Sequence, residues 1–497
     1  MRPWGGGTAG WQGSQSLPQE TARCRPTRLG PVPPRCPAAS LTDRRVTAAV
    51  FRFVRESAAA RILAPTAAPS IHSGTVLTDR AVWTIPDLDV FSGIDARSSL
   101  DISRSVLPPR LRPGALGVLD ISEFFGETTG GVRTYLLQKA RYVESRPELR
   151  QILVVPGARD SIHETGGVRC YRLHGPSIPT QKPYRFMLAT RSTTRIVGHE
   201  RPQLIEVGSA WFAPWLVHFA TRGGQVPAVW FYHSNFPRVI APWPRTAGAM
   251  RRTASHFAWR YVRRLSRLVK ATLAPSDFVA GELEREGVER VQRVSLGVDL
   301  DRFHPRRRAY GAETRRSLGL PQGPLALFVG RIAREKELDL LLSSWPEVER
   351  RTGARLVLVG NGPSRARLQR QRGSDRFIWL PFEADRERLA DLMAAADLYV
   401  APCSLETFGL SALEALASGT PVLTADRGGV AETVSRSGAG ASFVSGDGHA
   451  LAEAAIQLIT GSLDDLGIRG RAYVEANHGW DQVFDRLFGV YRRILDL

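Results

Sequence analysis

Short apolar runs alternate with segments of helical period along most of this chain. Gly117-Val118-Leu119-Asp120-Ile121 has the pattern of a short buried strand, and a glycine-bearing loop, Gly126-Glu127-Thr128-Thr129-Gly130-Gly131, follows it. Over 132–143 the apolar positions Val132, Leu136, Leu137, Ala140 and Val143 recur at helical spacing, which predicts a helix. Further strands are predicted at 152–155, 204–207, 228–232 and 271–274. The pattern then restarts. Leu325-Ala326-Leu327-Phe328-Val329 runs into Gly330, a helix is predicted over 338–348, and Arg355-Leu356-Val357-Leu358-Val359 runs into Gly360. Strands at 377–380, 398–400 and 421–423 continue the series. Strands alternating with helices, and strands apolar on both sides, argue for parallel sheets covered on both faces. The expectation is therefore an α/β protein of two doubly wound domains facing each other. The clefts between such sheets are natural ligand sites.

The boundaries follow from shifts in that pattern. Residues 1–112 are rich in proline, as at Pro31-Val32-Pro33-Pro34, and lack clear periodicity, which predicts a disordered or mis-assigned extension. An N-terminal domain is expected over 113–297, a linker over 298–305 and a C-terminal domain over 306–480. A last helix over 481–497 could pack back on the first domain.

Composition changes this picture little. The 497 residues carry a formal charge of +19. Only four of the 67 basic residues are lysine, so a biased arginine usage explains much of the charge. No run approaches the ~18 consecutive apolar residues of a spanning helix; the nearest, 210–220, is broken by Pro214 and His218. Cys24, Cys36, Cys170 and Cys403 have neither disulfide-framework nor zinc spacing, which fits a reducing cytosol. Asp87-Leu88-Asp89 and Asp299-Leu300-Asp301 imitate a metal motif, but they fall in the extension and the linker.

Five segments carry candidate chemistry. The first runs from Glu406 through Phe408, Gly409, Leu410 and Glu414 to Gly419. Read as a helix of about three turns, it sets its two acids on one side, ~12 Å apart, to suit the two ends of an extended ligand. Alternatively, both acids simply sit near a helix N-terminus. The second is Gly330-Arg331 with Lys336, two cations at the C-terminal edge of a sheet where a phosphate could bind; a solvated charged loop is the other reading. The third, Gly130-Gly131, opens a helix whose N–H groups could meet an anion, or is a tight turn. His233, at a strand end, could contact a sugar hydroxyl or be a satisfied structural histidine. The segment 251–270, opening on Arg251 and closing on Lys270, is a basic amphipathic helix. It could rest on an anionic membrane or pack on its own sheet. Neither a dinucleotide fingerprint nor a phosphate-binding P-loop occurs.

In this order the segments resemble a retaining glycosyltransferase of family 4, with the GT-B fold, and are similar to bacterial mannosyltransferase-type members. The E-x7-E segment 406–422 with its trailing Ser-Gly-Thr-Pro-Val, Val329-Gly330-Arg331 with Lys336, Val359-Gly360-Asn361-Gly362-Pro363, and Gly297-Val298-Asp299 with Phe303 and Pro305 carry the likeness. The resemblance implies two facing Rossmann-like domains with an interdomain cleft and transfer of a hexose, mannose first, from a nucleotide diphosphate sugar. The acceptor would be a saccharide or lipid-linked saccharide. It further implies no cofactor and no metal, with GDP-mannose favoured over UDP-sugars as co-substrate. Arg331 and Lys336 would hold the diphosphate, and Glu406 and the Phe408-Gly409-Leu410 backbone would meet the sugar and phosphate. Glu414 would bond the ribose, and Gly360 and Gly362 would border the base pocket. Gly130 and Gly131 would approach from the other domain, and His233 would lie near the transferred sugar. A cytoplasmic location, peripheral at the inner membrane face, goes with this reading. A sugar-nucleotide epimerase of the same fold and a basic nucleic-acid-binding protein are the alternatives.

Overall fold

Valine, leucine and isoleucine runs four to six residues long cannot hide in a helix that has one wet face, and here they become interior strands. The computed structural model describes residues 101–126, 130–178, 184–240, 248–372 and 376–497. The extension up to residue 100, with Cys24, Cys36, Asp87 and Asp89, lies outside the described residues.

The N-terminal lobe is built on β1 (Leu116–Ile121), β2 (Leu149–Gly157), β3 (Ser161–Thr165), β4 (Val168–His174), β5 (Leu204–Val207), β6 (Ala228–Phe231), β7 (Ala271–Ala274) and β8 (Val291–Arg293). They form one sheet in the order β3-β4-β2-β1-β5-β6-β7-β8. All neighbours are parallel except β3 on β4, an antiparallel edge pair that the parallel expectation did not include. Ser161-Ile162-His163-Glu164-Thr165 is polar enough to sit at that edge half-exposed. The C-terminal lobe holds β9 (Leu325–Val329), β10 (Arg355–Val359), β11 (Ile378–Leu380), β12 (Leu398–Ala401), β13 (Val422–Ala425) and β14 (Gly440–Phe443), in the order β11-β10-β9-β12-β13-β14, all parallel. Both sheets thus have the doubly wound form.

Ile102 and Leu107 are buried, and Ile102 donates its N–H to Asp160 Oδ2 at 3.0 Å. Residues 101–112 therefore pack against the N-terminal lobe rather than continuing an unstructured extension. The basic helix expected over 251–270 is displaced toward the N-terminus. It spans Gly248–Ser266, and by Lys270 the chain is already bonded to Ala228 ahead of β7.

The two lobes share one apolar cluster that runs from Val118 and Leu136 through Phe408 and Leu413 to Phe484 and Leu487. The last four come from the C-terminal half of the chain, and Phe484 and Leu487 lie on the final helix, Trp480–Ile494. Its Val483, Phe484, Leu487, Phe488 and Tyr491 form one buried face against the helix Gly131–Glu144. Tyr142 stacks on Phe488 with centroids 5.4 Å apart and donates its hydroxyl to Asp485 at 2.5 Å. The chain crosses between lobes at Val298 and returns beside it at Gly479, where the Val298 N–H bonds His478 O at 2.8 Å. Asp299 caps the turn that follows by accepting from Arg302 N at 3.0 Å, so this acid is occupied structurally.

An ionic network lies on the two central strands of the N-terminal sheet, β1 and β5. Lys139 Nζ is 2.6 Å from Asp120 Oδ1, 3.4 Å from Glu206 Oε2 and 2.9 Å from the Tyr491 hydroxyl, and its side chain is wholly buried. Tyr135 and Tyr491 both donate to Glu206, and Gln151 donates to Asp120 at 2.7 Å. Burial pushes the Asp120 carboxyl up to about 7 against the pull of Lys139, because Glu206 adds a second negative charge.

Candidate active site

The sharpest local event in the C-terminal lobe is the turn at Gly409. Its φ of 90° belongs to the left-handed region, and a Cβ there would lie 2.2 Å from Val430 Cγ2. The helix therefore starts only at Leu410 and runs Leu410–Ala417, two turns rather than three. Glu406 precedes the turn and Glu414 lies inside the helix, so the two acids are not one face of a continuous helix, and each has its own cation. Glu406 pairs with Lys336, and Glu414 pairs with Arg386.

Lys336 closes a short 3-10 turn, Arg334–Lys336, directly after β9. Burial works against its charge, but the Glu406 carboxylate outweighs that and holds the ammonium above its ordinary range. The pair keeps contact with solvent, at 24% and 26% side-chain exposure, so a ligand can reach it. Arg331 leaves the same strand end and is exposed. Around them the loops after β9 and β10 cross in backbone contact. A Cβ on Gly360 would fall 2.0 Å from Gly330 O, and one on Gly362 would fall 2.2 Å from Ile332 O. Gly330, Gly360 and Gly362 thus let two strand ends converge. Ile332 N bonds Asn361 O at 3.0 Å across that crossing.

No side chain caps the helix at Leu410, which leaves its first N–H groups directed at the loop mouth. Phe408 is buried with its ring edge-on to His478 at 5.7 Å, so it offers a ligand only its backbone. Leu410 meets the other lobe: a Cβ on Gly131 would lie 3.0 Å from Leu410 Cδ1. Gly130, with φ 122°, turns the chain into the helix Gly131–Glu144 at that point.

His233 follows β6 at the same junction. Thr407 Oγ1 donates to the His233 carbonyl at 3.0 Å, and Ser276 Oγ donates to the Thr407 carbonyl at 2.7 Å. The imidazole lies flat on Phe231, with centroids 4.2 Å apart and planes 3° apart, and tilts against Tyr135 at 5.1 Å. Its Nε2 is buried with no hydrogen-bond partner. Burial lowers the ring pKa to about 4, with Glu206 pulling the other way. The imidazole is then neutral from pH 6 upward. Folding disfavours the protonated ring, so the penalty it adds grows as pH falls from about 6.5 to about 4. Two-dimensional 15N NMR of the imidazole should show His233 titrating near 4; a midpoint near 6.5 would contradict the burial.

The structure thus brings His233, Gly130, Gly131, Lys336, Glu406 and Leu410 to one interlobe junction, while Arg331 leaves the end of β9 exposed, with no contact to them shown. Glu414 lies one helical turn deeper beside Arg386. Sequence reasoning assigned no role to the residues that hold the junction. Thr407 lies inside the 406–422 motif and Ser276 ends the Ala274-Pro275-Ser276 strand end that is similar to the family's, but no local pattern says that they bond to each other. Gly428-Gly429 packs under the loop, with Gly429 N bonded to Glu406 O at 2.8 Å, and the glycine pair was a readable signal. Glu337 accepts from Ser404 Oγ at 2.9 Å and steadies the loop's start. Among the described residues no three His, Cys, Asp or Glu side chains gather so as to hold a metal ion. Nor does any described helix have the length and apolarity to cross a membrane.

Comparison with known proteins agrees with this architecture. The family model "Glycosyl transferases group 1" matches residues 312–472, and "Glycosyltransferase Family 4" matches 129–302. A GDP-mannose-dependent alpha-(1-6)-phosphatidylinositol dimannoside mannosyltransferase of Mycobacterium tuberculosis is 33% identical over 332 residues, covering 63% of this chain and 84% of that protein. The chain belongs to glycosyltransferase family 4. A second relative of this glycosyltransferase, a GDP-mannose-dependent alpha-mannosyltransferase of the same species, is 32% identical over 340 residues, 66% of this chain and 82% of the relative. Sucrose-phosphate synthase of Thermosynechococcus elongatus superposes with a TM-score of 0.61 at 21% identity, over 76% of this chain and 99% of its own, which shows the shared GT-B fold. The protein is a glycosyltransferase. The epimerase and nucleic-acid-binding alternatives fall away with that assignment.

Proposed function

We propose that this glycosyltransferase moves mannose from GDP-mannose to a lipid-linked saccharide with retention of anomeric configuration. The observation that carries the proposal is the junction itself. There Lys336, beyond a C-terminal sheet edge, and an uncapped helix start meet a glycine turn and an imidazole with a free nitrogen, and Arg331 leaves the same strand end into solvent. Departure of a diphosphate separates charge, and fixed donors stabilise that separation better than reorganising water does. In this reading Arg331 and Lys336 take up the charge on the leaving phosphates. Glu406 anchors Lys336 and orients the sugar, Glu414 bonds the ribose, and the neutral His233 meets a sugar hydroxyl. Gly360 and Gly362 border the base, and Gly130 and Gly131 approach the diphosphate. The leaving phosphate receives the acceptor's proton, so no protein base and no metal ion is required. The linker over 298–305 lets the lobes close and exclude water. The donor preference is supported by the names of the two mycobacterial relatives. A lipid-linked acceptor also suits a cytoplasmic enzyme that touches an anionic membrane with the basic helix Gly248–Ser266, whose Phe257 is 62% exposed.

The test is one series of thermal shifts and transfer assays. GDP and GDP-mannose should raise the melting temperature more than UDP or UDP-sugars, because only a ligand that prefers the folded state stabilises it. Mannose should pass to a lipid-linked acceptor presented in anionic vesicles faster than in neutral ones. Stabilisation by UDP-sugars alone would overturn the donor assignment, and equal rates in both vesicles would overturn the membrane contact.

A further inference from the structure

Glu414 is a buried acid inside a two-turn helix, with 7% of its side chain exposed. A carboxylate held there needs a partner, and its partner is Arg386. That arginine is the first residue of the helix Arg386–Ala395, capped by Asp385. A cation in the first turn opposes the helix dipole, so its helix gains nothing from it there. Its guanidinium instead reaches across to bond Glu414 Oε1, and it lies over the ring of Phe303 at 5.1 Å. Phe303 belongs to the interlobe linker and is wholly buried, which fixes the plane on which the guanidinium rests. Arg386 is 26% exposed, so it borders solvent more openly than Glu414. No described residue donates to Glu414 Oε2.

We propose that Arg386 is the positioning residue for ribose recognition: by holding Glu414 Oε1 against the linker ring, it presents Oε2 to a ribose hydroxyl of the bound nucleotide. This rests on the reading of Glu414 as the ribose acceptor. The pairing fixes the rotamer of the acid, so a hydroxyl meets an acceptor already in place. Hydrogen bonds to charged groups are the stronger ones. Because the guanidinium leans on Phe303, the ribose site is also tied to the segment about which the lobes would move.

The experiment is calorimetric titration of the full chain with GDP and with 2′,3′-dideoxy-GDP, for the native protein, Arg386→Ala and Arg386→Lys. The native protein should prefer the ribonucleotide by about tenfold or more. Arg386→Ala should cut that preference below about threefold while binding the dideoxynucleotide as the native protein does. Arg386→Lys keeps the charge without the fork and should fall between. In turnover, Arg386→Ala should raise KM for the donor and change kcat less. Equal weakening of both nucleotides, or an undiminished preference in Arg386→Ala, would overturn the proposal and leave Arg386 a counterion only. If the native protein binds both nucleotides alike, the ribose reading of Glu414 is what fails. Should the alanine variant not fold, the lysine variant decides alone: an undiminished preference overturns the proposal.

Discussion

Lys336→Ala is expected to lower kcat by roughly 10²-fold or more, the usual effect of losing one preorganised donor to a developing anion. The side chain ends a turn just beyond β9, and Glu406 holds its ammonium at the mouth of the interlobe junction. A partly exposed ion pair adds little to stability, so the variant should melt close to the native protein. Loss of turnover without loss of fold is the signature of a group acting in the transition state. Glu406→Gln should reduce kcat less, since the amide can still accept from Lys336. Steady-state kinetics with melting curves on the same preparations check both. A near-native kcat for Lys336→Ala would remove this lysine from the chemistry.

The second large effect concerns the fold. Lys139→Met leaves Asp120 and Glu206 buried without their cation, and breaking such a network by removing one partner destabilises by about 3–5 kcal/mol. Asp120 is already raised to about 7 in the folded protein. A carboxyl raised on folding contributes stability at low pH that is lost as pH rises from about 3.8 through about 7. Removing Lys139 raises Asp120 further, so the variant should be most damaged above neutral pH and recover partly near pH 5. Tyr491→Phe removes one hydroxyl from Glu206 and should destabilise less. Denaturant midpoints at pH 5 and pH 8 measure this, and a Lys139→Met midpoint equal to the native one at pH 8 would contradict the network's role.

How much of this was legible in the sequence depended on whether the signal was local. Leu325–Val329 and Arg355–Val359 were placed residue for residue because interior parallel strands leave unbroken apolar runs that stop at glycine. The edge strands Ser161–Thr165 and Val291–Arg293 escaped because one side is wet and nothing apolar repeats. The acids of 406–414 were found, yet their geometry was misread. A helical count assumes a continuous helix, and the positive φ of Gly409 ends that assumption. Asp120 and Glu206 stood as acids inside apolar strands, which was a warning of buried pairing. Their cation lay on a helix and their second tyrosine at the far end of the chain, separations that no local pattern carries. Arg386 was invisible for the same reason, as its partner lies 28 residues on.

A nucleoside diphosphate is expected at the junction between the lobes, with its phosphates on protein cations. A crystal structure of the protein with GDP tests it most directly. The account predicts phosphate oxygens within hydrogen-bond reach of Lys336, Arg331 and the amides opening the helix Leu410–Ala417, with the ribose at Glu414. A nucleotide bound elsewhere, with the Lys336–Glu406 and Arg386–Glu414 pairs untouched, would contradict it.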